Sequence, residues 1–348
     1  MHVPDGFFTV PVSVSAAAVA VAGVTVCLRG ARKELDDRTA PMAGLVAAFV
    51  FAVQMLNFPV AVGTSGHLLG GALAAILVGP YTGVLCIAVV LLVQALFFAD
   101  GGLTALGVNI GLLGIVTVLV GYGVFRLVTR FAPRSRAAIG IGSFTAALIS
   151  VPVSALVFTL LYAVGGTSSI EIGTVATAMV GVHTLIGIGE GLITMVAVST
   201  VLAVRPDLVY GARALARPLL LRRADGSPIP ADAERAEPRR RTRPVLIGGV
   251  VITLLLAGVV GFYASSSPDG LERVAADTGF DTQAKPHDLA DSPLGDYGVK
   301  GVENERISVG LAGVIGVTIT LLAGGGVAWA ARRRTEHRRR AGRSAADA

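Results

Sequence analysis

Charge is scarce in this chain, and cysteine is scarcer. Charged residues make up 15% of its 348 residues, and both cysteines, Cys27 and Cys86, fall inside apolar runs. Neither a disulfide nor a metal site built on cysteine pairs is therefore expected. No lysine or arginine precedes Phe7. The opening thus lacks the basic region of a cleavable signal peptide, and Met1 is expected to stay in place. A Gly-x-x-x-x-Gly-Lys-Ser/Thr phosphate loop is missing too, which argues against ATP hydrolysis by the chain itself. Nor does the sequence contain a Ser/His/Asp set, a pair of catalytic carboxylates or a nucleotide fingerprint. The expectation is a protein that is no enzyme and holds no cofactor.

What the chain has is apolar length. Hydrophobic residues make up 53% and the mean hydropathy is +0.72. Runs of about 18 or more apolar residues read as membrane spans, and the 44 glycines suit close helix packing in lipid. The fold class expected is an all-α polytopic membrane protein, with about seven helices in a first bundle and two in a C-terminal module. Spans are read at about 8–28, 42–60, 103–125, 138–164, 174–204, 245–264 and 307–331. From Leu68 to Phe98 a 31-residue apolar stretch is broken only by Gly79-Pro80. The formal charge of +6 is carried by arginines flanking apolar segments. These read as topology signals, and no nucleic-acid partner is expected.

Basic loops at 29–40 and 126–136, the linker at 206–244 and the tail at 332–348 all belong on the cytoplasmic side by the positive-inside rule. The linker region is basic throughout, with ten arginines against five acids between 205 and 244, and reads as partly disordered. The number of crossings between the first two basic loops must be even, so 68–98 contributes two or none, with any reversal at Gly79-Pro80. This places the N-terminus, the loop ending at His67 and the acidic loop 265–306 together outside, in the cell membrane. That acidic loop holds nine acids against four bases.

The opening Met1-His2-Val3-Pro4-Asp5-Gly6 offers one ion three nitrogens in a row: the α-amine, the His2 amide and the His2 imidazole. A square-planar nitrogen set suits nickel(II) or copper(II). A fourth donor is needed, and His67, in Gly63-Thr64-Ser65-Gly66-His67, is the candidate on the same side of the membrane. Pro4 stiffens the entry to the first span, and Asp5 is placed to accept a hydrogen bond that fixes the small loop. Within the 174–204 span lie His183 and Glu190, seven residues apart and so on one helix face. They read either as a functional polar site, a proton relay for instance, or as a polar pair joining helices. Gln54, Asn57, Gln94 and Asn109 carry the same two readings. His287 and His337 read as surface histidines. Ala16 and Ala20, four residues apart on the first span, suit a helix contact with a partner or internal packing equally.

Three stretches carry a resemblance: Met1-His2-Val3-Pro4-Asp5-Gly6-Phe7, Gly63-Thr64-Ser65-Gly66-His67-Leu68-Leu69-Gly70-Gly71-Ala72 and Val182-His183-Thr184-Leu185-Ile186-Gly187-Ile188-Gly189-Glu190-Gly191. Together they make residues 1–205 similar to the CbiM/NikM family, the substrate-capturing membrane components of energy-coupling-factor transporters for cobalt and nickel. The resemblance implies that Met1, His2 and His67 hold Ni²⁺ or Co²⁺ as cargo. It also implies a transmembrane coupling subunit and separate ATPase subunits as partners, alongside membrane lipid. Ser267-Pro268-Asp269-Gly270-Leu271-Glu272, then Asp296-Tyr297-Gly298-Val299 and a last span, makes 245–331 similar to a PDGLE (CbiN/NikN-like) module, a two-span unit thought to assist metal loading. The rival expectations are an ion-gradient-driven transporter using His183 and Glu190, and a membrane scaffold that transports nothing. An amine with a reference pKa of about 7.7–8.0 and an amide must both lose protons to ligate, so binding is expected to weaken as pH falls.

Overall fold

The structure is a computed structural model that describes residues 1–36, 39–61, 63–132, 135–213, 220–222, 228–230 and 242–346. Side chains are not described at 220–222, at 228–230 or beyond 332. Most of the linker expected at 206–244 lies outside the described residues.

Among the described residues, seven helices are long and apolar enough to cross a membrane. In chain order the main helices are α1 (Val10–Gly30), α2 (Thr39–Gln54), α3 (Gly71–Val78), α4 (Pro80–Phe97), α5 (Leu106–Phe131), α6 (Arg136–Gly165), α7 (Ile172–Val204), α8 (Arg243–Tyr263), α9 (Gly270–Thr278) and α10 (Glu305–Ala346). Their outward faces are apolar, with Val10 75%, Phe131 78%, Val164 80% and Leu322 69% exposed. A surface of that kind suits lipid, and the polar residues accordingly turn inward: His183, Glu190 and Thr194 on α7 are fully buried.

Two elements differ in length from the sequence expectation. α2 ends at Gln54, and residues 58–66 form a short hairpin, β1 (Phe58–Ala61) with β2 (Thr64–Gly66). Pro59 and Pro268 explain the change. Pro59 lacks the N–H that a continuing helix needs, and Ser65 N–H donates to the carbonyl of Pro268 at 2.9 Å, drawing the hairpin towards a distant segment. At the other extreme, α10 runs past 331 through the arginine-rich stretch to Ala346.

The 68–98 stretch contains a reversal. α3 has eight residues, about 12 Å at 1.5 Å per residue, and Gly79 with φ 102° turns the chain into α4. Glu34, just after α1, accepts hydrogen bonds from Tyr81 N (3.2 Å), Thr82 N (2.8 Å) and Thr82 Oγ1 (2.9 Å). The turn therefore reaches the same end of the bundle as the loop after α1, while α4 runs back to the end that holds Met1. α3 is short because its start, beside His67, is sunk into the bundle.

Small residues let the C-terminal helices pack onto this bundle. A Cβ on Gly44 of α2 would lie 2.9 Å from the backbone N of Gly325, and one on Gly324 would lie 3.0 Å from Ala47 Cβ. Ala20 is buried, and Gly107 of α5 packs against the backbone at Ala16 and Ala17. That face of α1 is committed to internal packing. The Ser154 hydroxyl of α6 donates to the carbonyl of Leu112, in the π-helical turn 110–116 of α5, at 3.0 Å. The bond supplies a partner where helix geometry is irregular.

Removing the Glu34 carboxylate would orphan the first amides of α4. Glu34→Ala is expected to cost about 1–3 kcal/mol of stability, read as a lower unfolding temperature in detergent. An unchanged transition would show that the cap contributes nothing.

Candidate metal centre

The N-terminal residue of the chain is buried: Met1 is 2% exposed. Its first residues form a plug between α4, α5 and the segment around α9. Val3 N–H donates to Asn109 Oδ1 at 2.8 Å, and Asn109 Nδ2 donates to the Val3 carbonyl at 3.1 Å. Gly102 N–H also donates to that carbonyl at 2.9 Å. Asp5 accepts from Leu103 N (3.1 Å), Thr104 N (2.7 Å) and the Thr104 hydroxyl. Gly6 has φ 95°, and the Gln283 carbonyl sits where a side chain would be, so only glycine fits. Asn109 read from sequence as an ambiguous polar residue; here it pairs with the backbone of Val3.

The plug brings the expected donors together. The Met1 amine touches Nε2 of His67, 66 residues away in sequence. The His2 and His67 rings stack with centroids 4.8 Å apart. His67 Nδ1 lies 3.1 Å from the carbonyl of Leu68. A carbonyl only accepts, so Nδ1 carries the proton and Nε2 keeps the lone pair facing the amine. Burial, and then the charge of the amine, push the His67 imidazole below its ordinary range, while Asp269 pulls the other way. His67 is thus a neutral donor at neutral pH.

His67 is held from below. Glu190 accepts from the amides of Leu69 (2.6 Å) and Gly70 (3.1 Å), and Gln54 donates to the Leu69 carbonyl at 3.0 Å. Each oxygen of Glu190 accordingly fixes the turn that follows His67. His183 Nδ1 bonds the Met179 carbonyl of its own helix at 2.8 Å. The two α7 residues share a buried face, and neither bonds the other among the described residues. His287 Nδ1 accepts from Leu289 N at 3.0 Å within a turn. His337 lies among residues whose side chains are not described.

Three acidic and phenolic groups complete the surroundings. His2 Nδ1 lies 2.7 Å from Asp100 Oδ1, and Asp100 Oδ2 accepts from the Tyr297 hydroxyl at 2.5 Å. Nδ1 is the ring atom that closes a six-membered chelate with the His2 amide, and here it faces Asp100. His2 Nε2 is buried without a partner among the described residues. The Met1 amine donates to Asp269 Oδ2 at 2.7 Å, and Asp269 Oδ1 caps α9 by accepting from Leu271 N (2.7 Å) and Glu272 N (2.9 Å). Glu272 closes the capping box on Asp269 N at 2.9 Å. Among the described residues no three His, Cys, Asp or Glu side chains gather to hold a metal alone. The donor set rests instead on the terminal amine and backbone.

The three non-glycine residues with left-handed backbone among those described are Ala99, Asp296 and Tyr297, with φ of 55°, 51° and 57°. All three sit at the Asp100–Tyr297 clasp, and strain of this kind persists only where surrounding contacts enforce it. Tyr297 stacks on Phe98 at 5.0 Å, and Asp296 N donates to the Phe98 carbonyl at 3.0 Å. Asp100 lay in a glycine loop with no periodic or motif signal. Asp269 and Tyr297 lay in the stretches that resemble the PDGLE module, but nothing in them named the amine or Asp100 as their partners.

Burial works against the Asp100 carboxylate, yet His2 and the Tyr297 hydroxyl overcome it and bring its pKa down to about 2. A depressed carboxylate stabilises the fold above its unfolded value and loses that contribution as pH falls towards the folded one. The clasp is therefore expected to hold above about pH 4 and to release as pH drops towards 2. Amide exchange at 100–104, referenced to α7, should accelerate in that window, and Tyr297→Phe should move the window upward. Exchange that tracks the reference helix throughout would refute the clasp.

Comparison with known proteins agrees with this architecture. Residues 2–208 match the model of the CbiM family, described as a cobalt uptake substrate-specific transmembrane region, and residues 243–333 match the PDGLE domain. A protein of Archaeoglobus fulgidus named as a fused nickel transport protein, NikMN, is 33% identical over 327 residues, covering 93% of this chain and 97% of that one. The cobalt transport protein CbiM of Sorangium cellulosum is 36% identical over 217 residues, covering 60% of this chain and 94% of its own length. A solved transition metal transporter superposes with TM-score 0.53 at 26% identity, over 59% of this chain and 93% of that one. With its buried amino terminus set against His67 and its multi-pass helical bundle, the chain belongs to the CbiM family of cobalt uptake transmembrane proteins and carries a C-terminal PDGLE domain.

Proposed function

We propose that the chain captures Ni²⁺ or Co²⁺ at its outer face and passes it inward as the membrane component of an energy-coupling-factor transporter. The ion is held by the Met1 amine, the amide and imidazole of His2, and Nε2 of His67. The observation that carries this reading is the meeting of the Met1 amine with His67 Nε2 while the His2 ring stacks on His67. An amine and an imidazole lone pair brought to one point, with a second imidazole stacked beside them, offer a cation several nitrogen donors at once. Nitrogen donors of this kind suit nickel and cobalt, which are also the metals named for the relatives.

Residues 1–205 form the capturing unit in this proposal, and 245–331 form a module lying over its outer end. The basic loops support a reading with the N-terminus outside and the C-terminus in the cytoplasm. Energy comes from separate ATPase subunits acting through a transmembrane coupling subunit, since the chain has no phosphate loop. A gradient-driven relay through His183 and Glu190 is less well supported, because both oxygens of Glu190 are engaged by the Leu69 and Gly70 amides.

A site built on a terminal amine has an unusual sensitivity. One extra residue before Met1 moves the amine out of the chelate without touching any span. Nickel binding by the purified full-length chain should be lost both in that variant and in His67→Ala, while membrane insertion and yield persist. Undiminished binding in either would refute the site.

A further inference from the structure

Asp269 belongs to the PDGLE segment, 268 residues from the amine it binds. Its two oxygens do different things. Oδ1 serves its own helix, accepting from Leu271 N and Glu272 N. Oδ2 leaves that helix and sits 2.7 Å from the Met1 amine and 3.4 Å from His67 Nε2, beside two of the nitrogens assigned to the ion. The segment is fixed there by contacts that do not involve the carboxylate. Ser65 donates to the carbonyls of Pro268 through its N–H (2.9 Å) and of Ser267 through its hydroxyl (2.7 Å). Gly270 packs so closely on α7 that a Cβ would lie 3.1 Å from His183 Cε1.

The charge balance of the ion gives this placement a purpose. An amine and two imidazoles are neutral donors, and a deprotonated amide contributes one negative charge. A dication held by them keeps one uncompensated positive charge in a site where Met1 is 2% and His67 4% exposed. Burying an unpaired charge is costly, and a carboxylate beside it removes most of that cost. Asp100 shares its charge with the Tyr297 hydroxyl, whereas Asp269 Oδ2 faces the Met1 amine and His67 Nε2 directly.

We propose that Asp269 supplies the negative charge that balances the captured cation, so that the C-terminal module completes the metal site within the same chain. Asp269 is a positioning and charge-balancing residue, acting beside the nitrogens without being counted among them. The inference rests on the N-terminal capture site proposed above.

Two substitutions separate charge from helix capping. Asp269→Asn removes the charge but keeps a side chain that caps helices well. Asp269→Glu keeps the charge and is a poorer cap. Nickel binding to the purified full-length chain is the readout for both, alongside the wild type and His67→Ala. Asp269→Asn is expected to weaken binding roughly tenfold or more, with Asp269→Glu recovering most of it. The opposite order, or equal loss in both, would assign Asp269 to capping alone and overturn the proposal. Wild-type affinity in Asp269→Asn, with binding lost in His67→Ala, would overturn it while leaving the capture site standing. Undiminished binding in His67→Ala would instead overturn the capture site itself.

Discussion

One end of the helical bundle is organised around a buried chain terminus. An α-amine removed from water needs partners, and few groups can serve it without burying a further charge unpaired. Here it meets one neutral imidazole and one carboxylate, His67 and Asp269. Those two come from opposite parts of the chain, so satisfying the amine joins the first bundle to the last module. The other contacts around the plug keep the amine in that position. Asn109 and Gly102 take up the backbone of Val3, Asp5 ties the plug to the start of α5, and Lys285 N donates to the Asp5 carbonyl at 2.8 Å.

The module is more than an appendage joined by a linker. Phe280 is fully buried between Phe7 and Tyr162, with centroids 5.1 Å and 5.0 Å away. Tyr297 reaches Asp100 from a backbone conformation that L residues rarely adopt, and the stacking on Phe98 helps enforce it. An edge-on ring against Phe7, a strained tyrosine behind Asp100 and a helix cap beside the Met1 amine therefore brace the first seven residues. Interactions this specific resemble the support given to bound-ion ligands elsewhere, where outer groups fix the orientation of inner ones.

Much of the membrane architecture was legible because apolar length and basic loops are strong, local signals. The even-crossing rule called for two passes or none in 68–98, with any reversal at Gly79-Pro80, and the chain does turn there, at Gly79 beside Glu34. α2 was read too long, because hydropathy does not register a proline that ends a helix or a hairpin paired to a distant segment. The hydrogen bond from Ser65 N–H to the Pro268 carbonyl and the clasp of Asp100 with Tyr297 join residues about 200 apart, and no periodicity encodes them. Glu190 was legible as a buried acid but not as what it is, a support for the turn after His67. That role depends on backbone amides, which have no sequence identity.

The residues proposed as donors are held by contacts from two parts of the chain. His67 stands on a turn gripped by Glu190 and Gln54, both rooted in the long helices of the bundle. Met1 and His2 stand on a plug whose charged partners, Asp269 and the Asp100–Tyr297 pair, are contributed or braced by the module. A packed bundle resists small displacement, whereas contacts to a loop segment are drawn from the less stable end of a fold. His67 is held chiefly by the bundle, while Met1 and His2 are held by the bundle and the module together. An arrangement of this kind ties the geometry of a nitrogen site to the docking of a second unit, which gives a fused chain a physical reason to keep both in one polypeptide.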